Sequence, residues 1–134
     1  MPSEGPLDGR HICEIGMSMA VEQLLRSGFQ VALPIIDEGY DILALDGRKC
    51  WRIQVKATAR TAGKNCSRVR IMRGHNKQLR YEASQVDAFV IANITSGVLM
   101  CVPFSKAAGR SWINLSAGDK YADFSILRTV KPSK

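Results

Sequence analysis

The chain has 134 residues, enough for one domain with its own core and too few for two comfortable ones. Hydrophobic residues make up 46% and charged residues 23%, which excludes a disordered chain, a collagen-like repeat and a disulfide mini-scaffold. Nineteen Lys and Arg against twelve Asp and Glu give a formal charge of +7, so polyanions are the partner class to test first.

Residues 1–11 read as a flexible leader. Pro2, Gly5, Pro6 and Gly9 discourage regular structure, and Glu4 and Asp8 without an apolar run exclude a signal peptide. From Ile12 to Ser27 the apolar residues Ile12, Ile15, Met19 and Leu24, with Met17, Val21 and Leu25 beside them, recur at helical spacing. Gly28 stands where a helix C-cap is expected. Phe29 to Pro34 reads as a short strand. Tyr40 to Leu45 and Lys49 to Ala57 read as a hairpin turning at Asp46-Gly47. Arg68 to Met72, Val86 to Ile94, Val98 to Pro103 and Trp112 to Leu115 are further strands, and Phe104 to Ala108 is one helical turn. The residues from Gly118 onward carry no readable pattern.

The charge is concentrated. Between Asp46 and Glu82 stand Arg48, Lys49, Arg52, Lys56, Arg60, Lys64, Arg68, Arg70, Arg73, Lys77 and Arg80, eleven bases without one acid. A solvated face normally interleaves both signs, so this run points to a phosphate backbone. Arg52, Arg60, Lys64, Arg68, Arg70, Arg73, Asn76, Lys77 and Arg80 are the expected DNA contacts.

The same hairpin carries a set of groups able to do chemistry. A two-residue turn at Asp46-Gly47 pairs Asp41 with Arg52, and alternation then places Arg52, Gln54 and Lys56 on the face of Asp41. Trp51, Ile53 and Val55 point the other way, to a helix-covered core. The Asp41 carboxylate, the Gln54 side-chain oxygen and the Val55 carbonyl are hard donors that suit Mg²⁺, with Mn²⁺ as a substitute. Lys56 can orient or deprotonate a water aimed at a phosphate. The plain alternative is a cross-strand ion pair of Asp41 with Arg52 or Lys56.

Helix, Gly28-Phe29, strand, Asp41, hairpin and Gln54-Val55-Lys56 together resemble the PD-(D/E)XK nuclease superfamily. Among its small members the pattern is similar to the archaeal Holliday junction resolvases. It is also similar to the homing endonuclease group of cyanobacterial group I introns, which has Q-x-K where most relatives have E-x-K. Arg80-Tyr81, Val86-Asp87-Ala88-Phe89-Val90 and Val102-Pro103-Phe104 resemble that group's downstream segments. The resemblance implies an α/β (mixed α+β) fold of the restriction-endonuclease type over residues 12–134, a central mixed sheet flanked by helices. It implies a Mg²⁺-dependent endonuclease in which Asp41 and Gln54 bind metal and Lys56 is the catalytic lysine. The helix glutamate of the family falls at Met17 here; Glu14, one turn upstream, is the residue carried to that role, while Glu22 faces elsewhere.

The expected partner is DNA, duplex or branched. Junction resolution and a catalytically degenerate binding module are the alternative functions. One site cuts one strand, so double-strand cleavage implies a homodimer or a higher homo-oligomer, with Val86 to Ile94 and Val98 to Val102 as candidate interface strands. Cys13, Cys50, Cys66 and Cys101 contain no CxxC pair and read as reduced, mostly buried thiols of a cytoplasmic protein, prokaryotic or phage-encoded. No segment reads as a membrane helix or a basic amphipathic one, so no membrane partner is expected. His11 and His75 read as surface or capping residues, Cys50 as core packing, and Asp37 as a loop acid near Asp41.

Overall fold

The computed structural model describes residues 7–36, 38–60, 68–71, 85–114 and 120–132. Helix α1 (Gly9–Arg26) starts earlier than the apolar periodicity indicates, because Asp8 caps it. The Asp8 carboxylate accepts the His11 main-chain N–H at 2.9 Å, and His11 Nδ1 lies 2.8 Å from the same oxygen. Residues 9–11, read as leader from their composition, thus form the first helical turn. At the other end Gly28 takes φ +91°, the left-handed conformation that lets the chain turn directly into the sheet.

Five strands form the main sheet: β1 (Gln30–Ala32), β2 (Ile42–Asp46), β3 (Lys49–Thr58), β5 (Ala88–Asn93) and β6 (Leu99–Pro103), in the order β1-β2-β3-β5-β6. The β3–β5 pair is parallel and the others are antiparallel, so the sheet is mixed. Two three-residue strands, β4 (Arg68–Arg70) and β7 (Trp112–Asn114), pair antiparallel as a separate ribbon. A four-residue helix α2 (Phe104–Ala107) follows β6.

Two cores lie on opposite faces of the sheet. On one, Ala20 and Leu24 of α1 cover Ile42, Ala44, Trp51, Ile53 and Val90. On the other, Val69 and Ile113 from the ribbon, Ile71 just after β4 and Ala107 of α2 cover Phe89, Ile91, Met100 and Val102. All six β5 residues are buried, as a strand covered on both faces must be. This interior position removes β5 from the candidate interface strands, whereas β6 lies at the sheet edge.

The hairpin turns one residue later than its sequence suggests. Asp46 pairs with Lys49, leaving Gly47 and Arg48 at the tip. Gly47 has φ +61° and Arg48, like every other described non-glycine residue, has no positive φ, the pattern of a II′ turn with Gly in its first central position. The pairing therefore slides by two residues. Ile42 meets Ile53 in place of Asp46-Gly47 setting Asp41 against Arg52, and the same register carried one residue beyond β2 would set Asp41 beside Gln54. A slide of two preserves every side chain's face, so the expected sidedness survives the wrong register.

The C-terminal segment, unreadable from its composition, closes the first core. Two 3₁₀ turns, Lys120–Ala122 and Phe124–Thr129, bring Phe124 and Leu127 into full burial. Trp51 Nε1 donates to the Val130 carbonyl at 2.7 Å, and Phe29 meets the Trp51 ring edge-on with centroids 5.6 Å apart. Cys101 is fully buried, and that burial pushes its thiol up to about 12. Cys50 is half-buried and shares the face of Arg52 rather than the core behind Trp51; Cys13 is exposed.

Candidate active site

The site arises where β2 leaves β3. The β2 pairing ends at Ile42 with Ile53, so beyond that point β3 has β5 beside it on one side and an opening on the other. Asp41 stands at the mouth of this opening. Its main-chain N–H donates to the Ile53 carbonyl at 2.8 Å, and its Oδ2 accepts the Val55 N–H at 2.9 Å. The carboxylate thus replaces the strand partner that β2 no longer supplies, which fixes its position against Gln54 and Val55.

Alternation along β3 does the rest. Trp51, Ile53 and Val55 are buried on the α1 side, and the half-buried Arg52, Gln54 and Lys56 lie on the opposite face. Helix α1 walls the opening from the other side. Gly16 permits its close approach: a Cβ there would lie 2.6 Å from the Ala57 Cβ. Glu14 and Met17 flank this crossing point and both line the opening.

The result is a pocket of about 520 Å³ lined by Glu14, Met17, Asp41, Gln54, Val55 and Lys56, and also by Arg60, Arg70 and Trp112. Every residue expected in catalysis or metal binding faces this one space. Val55 turns its side chain into the core, so its main chain is what it offers there. Glu22 does not reach the pocket and pairs with Arg26 at 3.0 Å. Asp37 and His75 lie outside the described residues.

Among the expected DNA contacts, Arg60 and Arg70 are exposed at the pocket rim. Arg60 is held in place by Asn93, a buried residue whose Nδ2 donates to the Arg60 carbonyl at 2.8 Å and whose Oδ1 accepts the Thr95 N–H at 3.0 Å. Thr95 Oγ1 donates to the Ala59 carbonyl at 3.0 Å, a second tie on the exit from β3. Arg52 is placed differently. Its main-chain N–H and its Nε donate to Oδ2 of the buried Asp87 at 2.7 and 3.3 Å, so this guanidinium serves the fold. Lys64, Arg73, Asn76, Lys77, Arg80 and the Arg68 side chain lie outside the described residues. Trp112 escaped the sequence reading as a site residue. Its place beside the buried Ile113 in a three-residue strand shows only in the structure.

The donor set suits a hard, well-hydrated cation. Two carboxylates and a carboxamide oxygen offer charge and oxygen ligands, and the pocket has room for water. Among the described residues no group of three or more His, Cys, Asp and Glu gathers.

The sequence matches the PD-(D/E)XK endonuclease family over residues 7–124. The chain belongs to that family. That family is one of endonucleases, and the matched span contains Asp41 and Gln54-Val55-Lys56. No curated protein matches the chain. Among solved structures, a bacterial homing endonuclease, I-Ssp6803I, is similar with a TM-score of 0.70 at 18% identity, over 91% of this chain and 93% of that one. At that identity the likeness supports the restriction-endonuclease-like fold.

Proposed function

We propose that this PD-(D/E)XK chain is a Mg²⁺-dependent DNA endonuclease that hydrolyses phosphodiester bonds. The convergence of Asp41, Gln54, Lys56 and Glu14 on one pocket that Arg60 and Arg70 also line carries this reading. Asp41, Gln54 and the Val55 main chain would hold the ion, with Glu14 adding a second carboxylate from α1. A divalent ion there supplies Lewis-acid stabilisation of the charge that builds on the phosphate. Asp41 is oriented for this by the Val55 N–H. Lys56 orients the attacking water and holds its ammonium charge against the phosphoryl oxygens. Arg60 and Arg70 grip flanking phosphates at the rim.

Met17 at the usual place of the helix glutamate, with Gln54 for the commoner acid, lowers the site's negative charge. These two residues favour the second reading, a binding module that no longer cuts. Within the nuclease reading, homing-type base readout and junction-type shape readout remain the two substrate modes, and a symmetric pair of chains would serve either. A cleavage panel of linear, supercoiled and four-way-junction DNA with Mg²⁺ or Mn²⁺ tests all of these. We expect nicking by the native protein and loss of nicking in Lys56→Ala with binding kept. Intact DNA in every lane would leave the binding module standing.

A further inference from the structure

Trp112 lies in the wall of the catalytic pocket with 44% of its surface exposed. The other tryptophan, Trp51, is fully buried with its Nε1 bonded to a carbonyl, as a core tryptophan is expected to be. In the β4–β7 ribbon the inward residues Val69 and Ile113 already do the packing, buried among Phe89, Ile91 and Val102. Trp112 alternates with Ile113 and sits directly across from Arg70. The ribbon thus presents an aromatic ring and a guanidinium side by side, and both line the space that holds Asp41, Gln54 and Lys56.

This pairing has a definite recognition chemistry. A guanidinium binds a phosphate, and an exposed indole offers a flat face on which any base can stack. In an uninterrupted duplex the base faces are already covered by their neighbours, so only an unpaired or extruded base can use such a wall. We propose that Trp112 stacks on an unpaired base flanking the scissile phosphate while Arg70 holds the adjoining phosphate, so that the enzyme selects DNA interrupted at the cut site. Bulges, flaps and branch points are the substrate class this implies. The proposal rests on the nuclease reading above and names the substrate of the same site.

The test has a binding arm and a cleavage arm. An oligonucleotide duplex carries a one-nucleotide bulge with 2-aminopurine as the unpaired base, and the fluorescence of probe and protein is followed on binding without divalent metal. Native protein should quench the probe, Trp112→Phe should keep most of the quenching, and Trp112→Ala should lose it. With Mg²⁺, native protein should cut the bulged DNA about 10-fold faster, as kcat/KM, than the matched duplex, and that ratio should fall towards one in Trp112→Ala. Quenching unchanged in Trp112→Ala, or an unaltered substrate ratio, would overturn the stacking role. If no substrate is cut at all, the nuclease reading fails, and the binding arm alone still decides whether Trp112 stacks.

Discussion

Oδ2 of Asp41 accepts the main-chain N–H of Val55 at 2.9 Å. One bond joins the last residue before β2 to the strand that carries Gln54 and Lys56, at the point where strand pairing gives out. The same carboxylate therefore closes the backbone's hydrogen-bond accounting and founds the site. Its chemical and structural roles separate in a single substitution.

Asp41→Asn keeps an oxygen acceptor for Val55 and removes the charge. Cleavage should fall by about 10²-fold or more, while thermal stability and DNA binding stay near native. Asp41→Ala should lose cleavage and also stability, because the Val55 N–H is then left without its carboxylate. Comparing melting temperatures of the two variants beside their nicking rates checks both halves. An asparagine variant that still cuts at the native rate would remove Asp41 from the metal site.

Gly16 is the second fixed point. Its missing side chain lets α1 pass within a methyl's distance of Ala57 and so delivers Glu14 to the pocket. In Gly16→Ala a helix-propensity gain of about 1 kcal/mol opposes overpacking of about 1–3 kcal/mol. We expect net destabilisation, larger in Gly16→Val, with a loss of activity that exceeds the loss of folded protein. Adding Ala57→Gly should relieve the clash, giving a favourable coupling of about 1 kcal/mol in a double-mutant cycle from urea unfolding. Strict additivity would mean that the helix shifts freely.

These two residues also show what could be read from the sequence and what could not. The strand pattern and the faces of Asp41, Gln54 and Lys56 were legible because alternation of period two is indifferent to a register slide of two. The turn was misplaced because Asp46-Gly47 favours a I′ turn locally, while the pairing of Asp46 with Lys49 moves glycine to the first central position. The family resemblance, carried one helical turn from Met17, points to Glu14, which lines the pocket, but the closeness of α1 to Ala57 is a tertiary property of a residue lacking a side chain. The C-terminal turns escaped because Phe124 and Leu127 are spaced for one short 3₁₀ turn, too brief to register as periodicity. Asp87 belongs to the segment that resembles the family, and its pairing with Arg52 spans 35 positions that no local rule connects.

That pair yields the third prediction. Asp87 is almost wholly buried and Arg52 is 17% exposed, so removing either charge takes from the other its ion-pair partner. Asp87→Ala should cost about 3–5 kcal/mol, because the β3 main-chain N–H of Arg52 loses its acceptor together with the guanidinium. Arg52→Met should cost less than Asp87→Ala, since the carboxylate keeps the Arg52 main-chain N–H and gains access to water. Equilibrium unfolding in urea gives the order directly. The reverse order would show that the guanidinium's packing, rather than the buried carboxylate, dominates.

Arg128 makes a corresponding prediction for the C-terminal segment. Its Nε donates to Asp46 Oδ2 at 2.7 Å, its Nη2 donates to the Ser27 carbonyl at 3.0 Å, and its guanidinium carbon lies 4.1 Å from the centre of the Phe29 ring. One planar cation therefore ties the hairpin tip, the end of α1 and the first core. Arg128→Ala should cost about 1–3 kcal/mol, and Arg128→Lys should recover under half of that, because an ammonium cannot make the fork and the stack together. Asp46→Ala should cost at most about 1 kcal/mol, since both partners of that ion pair are over a third exposed. Melting of the three variants separates the geometry of the guanidinium from its charge.

The pH dependence of folding follows from two caps. The His11 main-chain N–H and ring hold Asp8 below the usual carboxylate range, and the Ser125 N–H does the same for Asp123 at the start of the last 3₁₀ turn. A carboxylate with a lowered folded pKa binds its proton more tightly in the unfolded chain. The stability it adds is therefore fully present above the unfolded value of about 3.9 and is lost as pH falls through the folded values. Urea midpoints followed from about pH 6 down to about pH 2.5 should hold level on this account and then drop below about pH 4. The double variant Asp8→Asn with Asp123→Asn keeps both side-chain acceptors but cannot titrate, so its curve should fall less steeply there. The gap between the two curves should be constant near neutrality and should close on the acid side. A gap that stays constant down to the lowest pH would show that the caps act as neutral hydrogen-bond acceptors and that their charge adds nothing.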